Sequence, residues 1–319
     1  MKILALAEFD PAGVLRGWAR ALTKQGHTLK RVVHTTFWRE GADAEWVYTR
    51  DGQAGLAQAA AFAKEADIGL FMPGISAPWA TDPGPIKRED VPDWFRYARK
   101  LVACFPGSIN TWAHAEVYAE HFRQIGFELC AASARYAHRM HVPWLPPVVD
   151  VGAVQAQLRR DDEPLRVVHA TTDDSLNHTA EVEALCARLG IQLNIIRDVQ
   201  HDEVLARKAK AHVGYSHLTR GIPSVSTVED GLVGLGALYG RNYAYDAVLL
   251  NTLGSTPYGI TFGGDYSALD ELEESLVHFR DSPRATRDLQ AMSARWYREH
   301  WNVERIANIV GGYFGRISG

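Results

Sequence analysis

The hydrophobic period of this chain switches back and forth between short apolar runs and segments with helical spacing, and that switching is its strongest constraint on fold. Met1 to Ala7 is an apolar run, Asp10-Pro11-Ala12-Gly13 a turn, and Val14, Leu15, Trp18, Ala21 and Leu22 then recur at helical spacing. Gly26-His27 closes that segment, and Leu29 to Val33 restarts an apolar strand. A period near 3.6 buries one stripe of a helix, whereas a short, wholly apolar run suits a strand covered on both faces. Ala54 to Glu65 then reads as helix, Ile68 to Met72 and Leu101 to Phe105 as strands, and Trp112 to Ile125 as helix. Strands joined by helices imply an open parallel sheet, because a parallel connection must cross over and a helix does so compactly.

The rhythm breaks at His141 to Asp150 (HVPWLPPVVD), and a polar stretch, Arg159 to Pro164, follows. It resumes with strands at Leu165 to Ala170, Ile191 to Ile196 and Ala211 to Ser216, separated by helices at Glu181 to Leu189 and Asp202 to Lys210. At 319 residues the chain exceeds one average domain. The expectation is therefore an α/β fold of two doubly wound, Rossmann-like domains facing across a cleft, residues 1–148 and 149–299. Asp288 to Ile317 reads as helical with a break near His300 to Asn302, and the last helix, about 300–319, is expected to pack back on the first domain. Ligands of such sheets bind beyond the carboxyl ends of the strands, which makes the cleft the expected site.

Several function classes lose their anchors. Net charge is −4, with Lys and Arg scattered, which disfavours a sequence-independent nucleic-acid coat. Cys104, Cys130 and Cys186 form no C-x-x-C pair, so neither a disulfide framework nor a zinc knuckle is expected, and a cytoplasmic setting fits. The run at Met1 to Ala7 meets Glu8 and Asp10 at once, and no later run approaches the roughly 20 apolar residues of a membrane span. No G-x-S-x-G elbow, Walker loop or H-E-x-x-H occurs. No D-x-D triplet occurs either, which disfavours a divalent cation on a donor diphosphate. His138-x-x-His141 is the one close histidine pair and has no acidic partner positioned by a helix, so no metal site is expected.

The strongest local feature is Gly221 to Gly234 (GIPSVSTVEDGLVG). A Gly/Pro/Ser loop leaves a strand and enters a helix at Ser226 or Thr227, both good N-caps, so backbone N–H groups and the positive helix end converge on a place suited to phosphate. Glu229, read in the first turn, is placed to accept two vicinal hydroxyls of a ribose. A plain helix start, with Ser226 as cap and Glu229 complementing the dipole, accounts for the same residues. Gly234-x-Gly236-x-x-x-Gly240 falls at the end of that helix and reads as helix-to-strand punctuation.

Five stretches, in order, resemble the GT-B fold glycosyltransferases of group 1 (family 4-like), which transfer sugars from nucleotide-diphosphate donors. Trp144 to Asp150 (WLPPVVD) looks like the family's "PPGVD", and Val168 to Thr179 (VHATTDDSLNHT) aligns with "HAPTNRxxKGT". Asp198 to Leu205 (DVQHDEVL) resembles "V-x-H-x-E-[VM]". Val228 to Ala237 (VEDGLVGLGA) resembles "LEAMACGxPV", whose glutamate binds donor ribose, and Tyr297 to Ala307 resembles the family's helical ending. The resemblance implies a UDP-type nucleotide-sugar as co-substrate with no other cofactor, a metal-independent and retaining transfer, and Glu229 as the ribose ligand.

The chain departs from that pattern at the diphosphate. The lysine of "KGT" is Asn177 and the nearby arginine position is Asp174, while the glutamate eight residues before the ribose ligand is Gly221. Each lost charge-assisted contact is worth about 1.5–3 kcal/mol. Arg220 and His178, with Arg197 further off, are the replacement cations expected on loops directed to the cleft. Gly13 is expected to allow close approach of phosphate or acceptor. Asp10, His114 and Glu116 are the candidate catalytic or acceptor residues, with a solvated helix face as the plain alternative for the last two. The acceptor is open among a small molecule, a glycan and a modified nucleic-acid base. A nucleotide-sugar epimerase and a non-catalytic binding module remain rivals of the transferase.

Overall fold

The short apolar runs form strands, and in the computed structural model every strand pairing among the described residues is parallel. The structure describes residues 1–7, 10, 13–34, 43–73, 91–106, 115–171, 177–218, 221–257, 260–262 and 268–319. These divide into one unit of Met1–Val148 with Val303–Gly319, and a second of Val149–Asn302.

In the first unit, β1 (Lys2–Ala7), β2 (Thr28–Val33), β3 (Trp46–Val47), β4 (Ile68–Met72), β5 (Lys100–Phe105) and β6 (Glu128–Ala131) form a sheet in the order β3-β2-β1-β4-β5-β6. Ile3 pairs with Leu29 on one side and Ile68 on the other. Ile3, Leu4 and Ala5 are fully buried, as a central strand covered on both faces requires. The helices are α1 (Val14–Lys24), α2 (Tyr48–Ala63), α3 (Ala115–Gln124) and α4 (Ala134–Met140). Val14, Leu15, Trp18, Ala21 and Leu22 are the buried stripe of α1. The indole of Trp18 donates to the Pro146 carbonyl at 2.9 Å. The last helix, α11 (Val303–Ser318), packs on α1, with Phe314 edge-on to Trp18 and the Tyr313 hydroxyl donating to the Leu129 carbonyl at 3.1 Å.

The second unit contains β7 (Arg166–Ala170), α5 (Thr179–Arg188), β8 (Gln192–Ile196), α6 (His201–Lys208), β9 (Val213–Tyr215), α7 (Val225–Val233), β10 (Gly236–Gly240), α8 (Asp246–Leu253), β11 (Ile260–Phe262), α9 (Ala268–Asp281) and α10 (Pro283–His300). Its sheet runs β11-β10-β9-β7-β8. The chain leaves β7 for β8 on one side and returns to β9 on the other. The loops after β7 and β9 therefore diverge at the carboxyl edge, the arrangement in which open α/β sheets take ligands. Leu165, Val167, Val182, Leu185, Val213, Leu238, Leu272 and Leu276 pack one core of this unit. Helix α10 lies directly on α7 and β10: a Cβ on Gly231 would collide with the Tyr297 ring, and one on Gly236 would sit 2.5 Å from Leu289 Cδ2. Among the described residues no helix is long and apolar enough to cross a membrane.

Helix α7 starts earlier than the sequence reading places it. The cap is Ser224, not Ser226 or Thr227: its hydroxyl accepts from the Thr227 N–H, and the Thr227 hydroxyl accepts from the Ser224 N–H, a closed capping box. Ser224, Ser226 and Thr227 are all competent caps, so spacing alone does not choose among them. The reciprocal pair chooses Ser224. Glu229 consequently lies in the second turn, and no acidic residue occupies the first.

Candidate functional site

Three loops frame the carboxyl edge of the second sheet. After β9, the Ser216 hydroxyl shares a 2.6 Å hydrogen bond with that of Ser224, tying the strand end to the start of α7. After β7, Asn177 is buried. Its side-chain amide donates to the Thr171 hydroxyl at 2.9 Å, and its backbone carbonyl accepts from the Tyr215 hydroxyl at 2.9 Å, which ties the start of α5 to the end of β9. His178 caps α5 in a left-handed conformation, φ 54°, with Nδ1 3.6 Å from Glu181. After β10, Arg241 bridges to Gly221 through the backbone and pairs with Asp246.

Gly221 is fixed by geometry. Its φ is +76°, and a Cβ there would come within 2.6 Å of Asn242 Cβ and 2.8 Å of Tyr245 Cε2. No side chain fits, so the glutamate of the resembling family has no room at this position.

Behind this loop lies a buried charge cluster that sequence reading only partly finds. Glu229 is 5% exposed and Asp230 1%. Between them sits Lys208 from α6, fully buried, with Nζ 2.9 Å from Glu229 Oε2 and 2.8 Å from Asp230 Oδ1. The same ammonium donates to the carbonyl and hydroxyl of Ser226, each at 2.9 Å. His201, the first residue of α6, reaches the other Glu229 oxygen, Nε2 to Oε1 2.8 Å, with its side chain 44% exposed. Gly214 on β9 makes the space: a Cβ there would collide with the Asp230 carboxylate.

Electrostatics follow from this packing. Burial acts to raise the Glu229 pKa, but Lys208 and then His201 outweigh it and hold the carboxyl at about 2. Burial dominates at Asp230 and pushes it up to about 6, against the pull of Lys208. Burial would discharge Lys208, yet the two carboxylates raise its pKa instead and keep it cationic. The cluster thus holds one cation and two acidic groups, with the firmly ionised one nearest the α7 start.

The expected site residues separate into groups. Glu229, Ser226, Thr227, Gly221, Asn177 and His178 all belong to the second unit at the ends of β7 and β9. Thr227 is fully buried with its hydroxyl used by the capping box, and Ser226 serves Lys208, so neither hydroxyl carries out the capping expected of it. In the first unit, Asp10 is fully buried and its two oxygens accept from the N–H groups of Leu15 at 2.7 Å and Arg16 at 2.8 Å. Both are committed to the first turn of α1, and Arg31 lies 3.7 Å away. Burial raises the Asp10 pKa against these contacts. Gly13, φ 65°, makes the turn that brings Asp10 back onto the helix. Glu116 is exposed and paired with Arg139, whose hydrogen bond lowers its pKa and weakens it as a base. His114 and Arg220 lie outside the described residues.

Sequence reading misses Lys208 altogether and gives His201 no role. A signal for Lys208 exists: it follows Leu205 at helical spacing, on the face of α6 that is buried. Among the described residues no group of three or more His, Cys, Asp and Glu is arranged to hold a metal ion.

No protein-family model matches the chain, and no curated protein matches it in sequence. Solved structures do match along its whole length. An alpha-glucosyltransferase in complex with UDP-glucose and DNA containing an abasic site matches at TM-score 0.60 and 11% identity, over 100% of this chain and 99% of the other. Anabaena HepE in complex with UDP matches at TM-score 0.62 and 13% identity, over 99% and 100%. Sucrose-phosphate synthase from Thermosynechococcus elongatus matches at TM-score 0.60 and 11% identity, over 99% of each. The likeness is one of fold.

Proposed function

This chain has the GT-B glycosyltransferase fold, and on that premise we propose that it moves a sugar from a nucleotide-diphosphate donor, UDP-linked, to an acceptor. The second unit takes the nucleotide. The observation that carries this reading is Glu229: a carboxylate held ionised one turn inside α7, beside the loop after β9, with Oε1 toward the half-exposed His201, is an acceptor for a ribose diol. At the helix start the N–H groups of Val225 and Ser226 have no intrahelical acceptor, and the positive helix end favours a diphosphate. Arg220 or His178 supplies a hydrogen-bond donor in place of the lysine that Asn177 replaces. Catalysis is then chiefly positioning and stabilisation of leaving-group charge, with retention at the anomeric carbon and without a metal or further cofactor.

Incubation with a panel of UDP-sugars, following UDP release with and without acceptor pools, tests the reading. Acceptor-dependent release that persists in EDTA supports it. Acceptor-free conversion of the sugar identifies an epimerase instead. A second reading, a nucleotide-binding module without transfer, is favoured by one observation: Asn177 is buried and its amide is spent on Thr171. Nucleotide binding without release from any donor identifies that case. His178→Ala and Arg220→Ala then locate the replacement hydrogen-bond donor, with weaker UDP-sugar affinity expected in at least one.

A further inference from the structure

A lysine can be kept charged in a protein interior by one carboxylate, and Asp230, 2.8 Å from Lys208 Nζ, already provides it. Glu229 adds a second at 2.9 Å, so the buried group sets two acidic side chains against one ammonium. Lys208 holds Oε2 from inside, and the Ser226 carbonyl and hydroxyl anchor the same ammonium. The opposite oxygen, Oε1, faces His201, and His201 is the half-exposed member of the cluster. One oxygen is held from within by a fully buried ammonium, and the other is covered by a side chain that is 44% exposed.

We propose that Lys208 is a positioning residue that presents Glu229 as a fixed ionised acceptor for a vicinal diol, and that His201 is a placeholder donor which a ligand hydroxyl displaces from Oε1. The inference rests on the nucleotide-sugar reading above and adds to it a source of selectivity for ribonucleotides over deoxynucleotides.

The test titrates UDP and 2′,3′-dideoxy-UDP by calorimetry into the wild-type protein, His201→Ala and Lys208→Met. Wild type is expected to prefer UDP by about tenfold or more, the worth of a hydrogen bond to a charged group. His201→Ala should tighten UDP about threefold or more and leave the dideoxy compound unchanged, since only the diol competes with the imidazole. In Lys208→Met the preference should fall to about one. A merely structural lysine would weaken both ligands alike and preserve the ratio. Where Lys208→Met does not fold, the His201→Ala pair decides. The proposal is overturned by a wild-type ratio near one, by UDP binding that weakens or stays the same in His201→Ala, or by a ratio that survives in folded Lys208→Met. Failure of the wild type to bind UDP, ADP, GDP or TDP is a different result: it removes the nucleotide-sugar reading, and this inference with it.

Discussion

Helix α1 in the first unit and helix α7 in the second both begin shortly beyond the carboxyl end of an interior strand, β1 and β9, and both have a buried carboxylate near the start. At α1 the carboxylate is Asp10, and it sits on the helix end itself, accepting from two N–H groups. At α7 the cap is a neutral Ser224–Thr227 box, and the carboxylates lie a turn further in with their own cation. A helix that has supplied its own anion has little left to offer a phosphate; one capped by hydroxyls keeps its dipole and its first N–H groups for a ligand. On the proposed reading, the contrast favours the start of α7 for the anion and leaves Asp10 as the cap of α1.

Variants can break this comparison. Lys208→Met leaves two buried acidic groups without their cation and should cost about 3–5 kcal/mol in urea unfolding, the range for a broken buried ion pair. Gly221→Ala should follow, at about 1–3 kcal/mol for a left-handed backbone, plus the clash with Asn242 and Tyr245. Asp10→Ala should cost about 1–2 kcal/mol, as a lost cap, because Arg31 keeps Asp43 and Glu45. Equal losses in Lys208→Met and Asp10→Ala would erase the difference between the two helix starts.

A further effect is one of pH. Asp230 titrates near 6 when folded against an ordinary 3.8, so its contribution is fully present below about 3.8 and is lost as pH rises through 6. Glu229, held at about 2, behaves oppositely, and its contribution is lost as pH falls from about 4.5 toward 2. The difference between the Tm–pH curves of wild type and Asp230→Asn should therefore decline from pH 4 to pH 6.5. A flat difference would mean that burial does not raise the Asp230 carboxyl pKa.

Much of the α/β alternation is legible because strands covered on both faces must be apolar: Ile3 to Ala5 and Val167 to Val168 announce themselves. Strand β10, with Gly236 and Gly240 at its ends, does not, since those glycines exist to admit Leu289 and the Leu218 carbonyl and look like punctuation in a sequence. The start of α7 is blurred by three cap-competent residues within four positions. Glu229 is legible as an acidic residue near a loop-to-helix junction, but its partners are not. A lysine is ordinarily a surface residue, and only the fold reveals that α6 turns Lys208 toward two carboxylates. Asp10 misleads for the converse reason: a loop acid after the first strand reads as a ligand contact until its oxygens are found on the backbone of α1.

A crystal structure with UDP bound separates the two helix starts as nucleotide sites. The ribose diol is expected against Glu229, with His201 displaced from Oε1 and the diphosphate at the start of α7. Nucleotide bound at the start of α1, or a ribose turned away from Glu229, would contradict that placement.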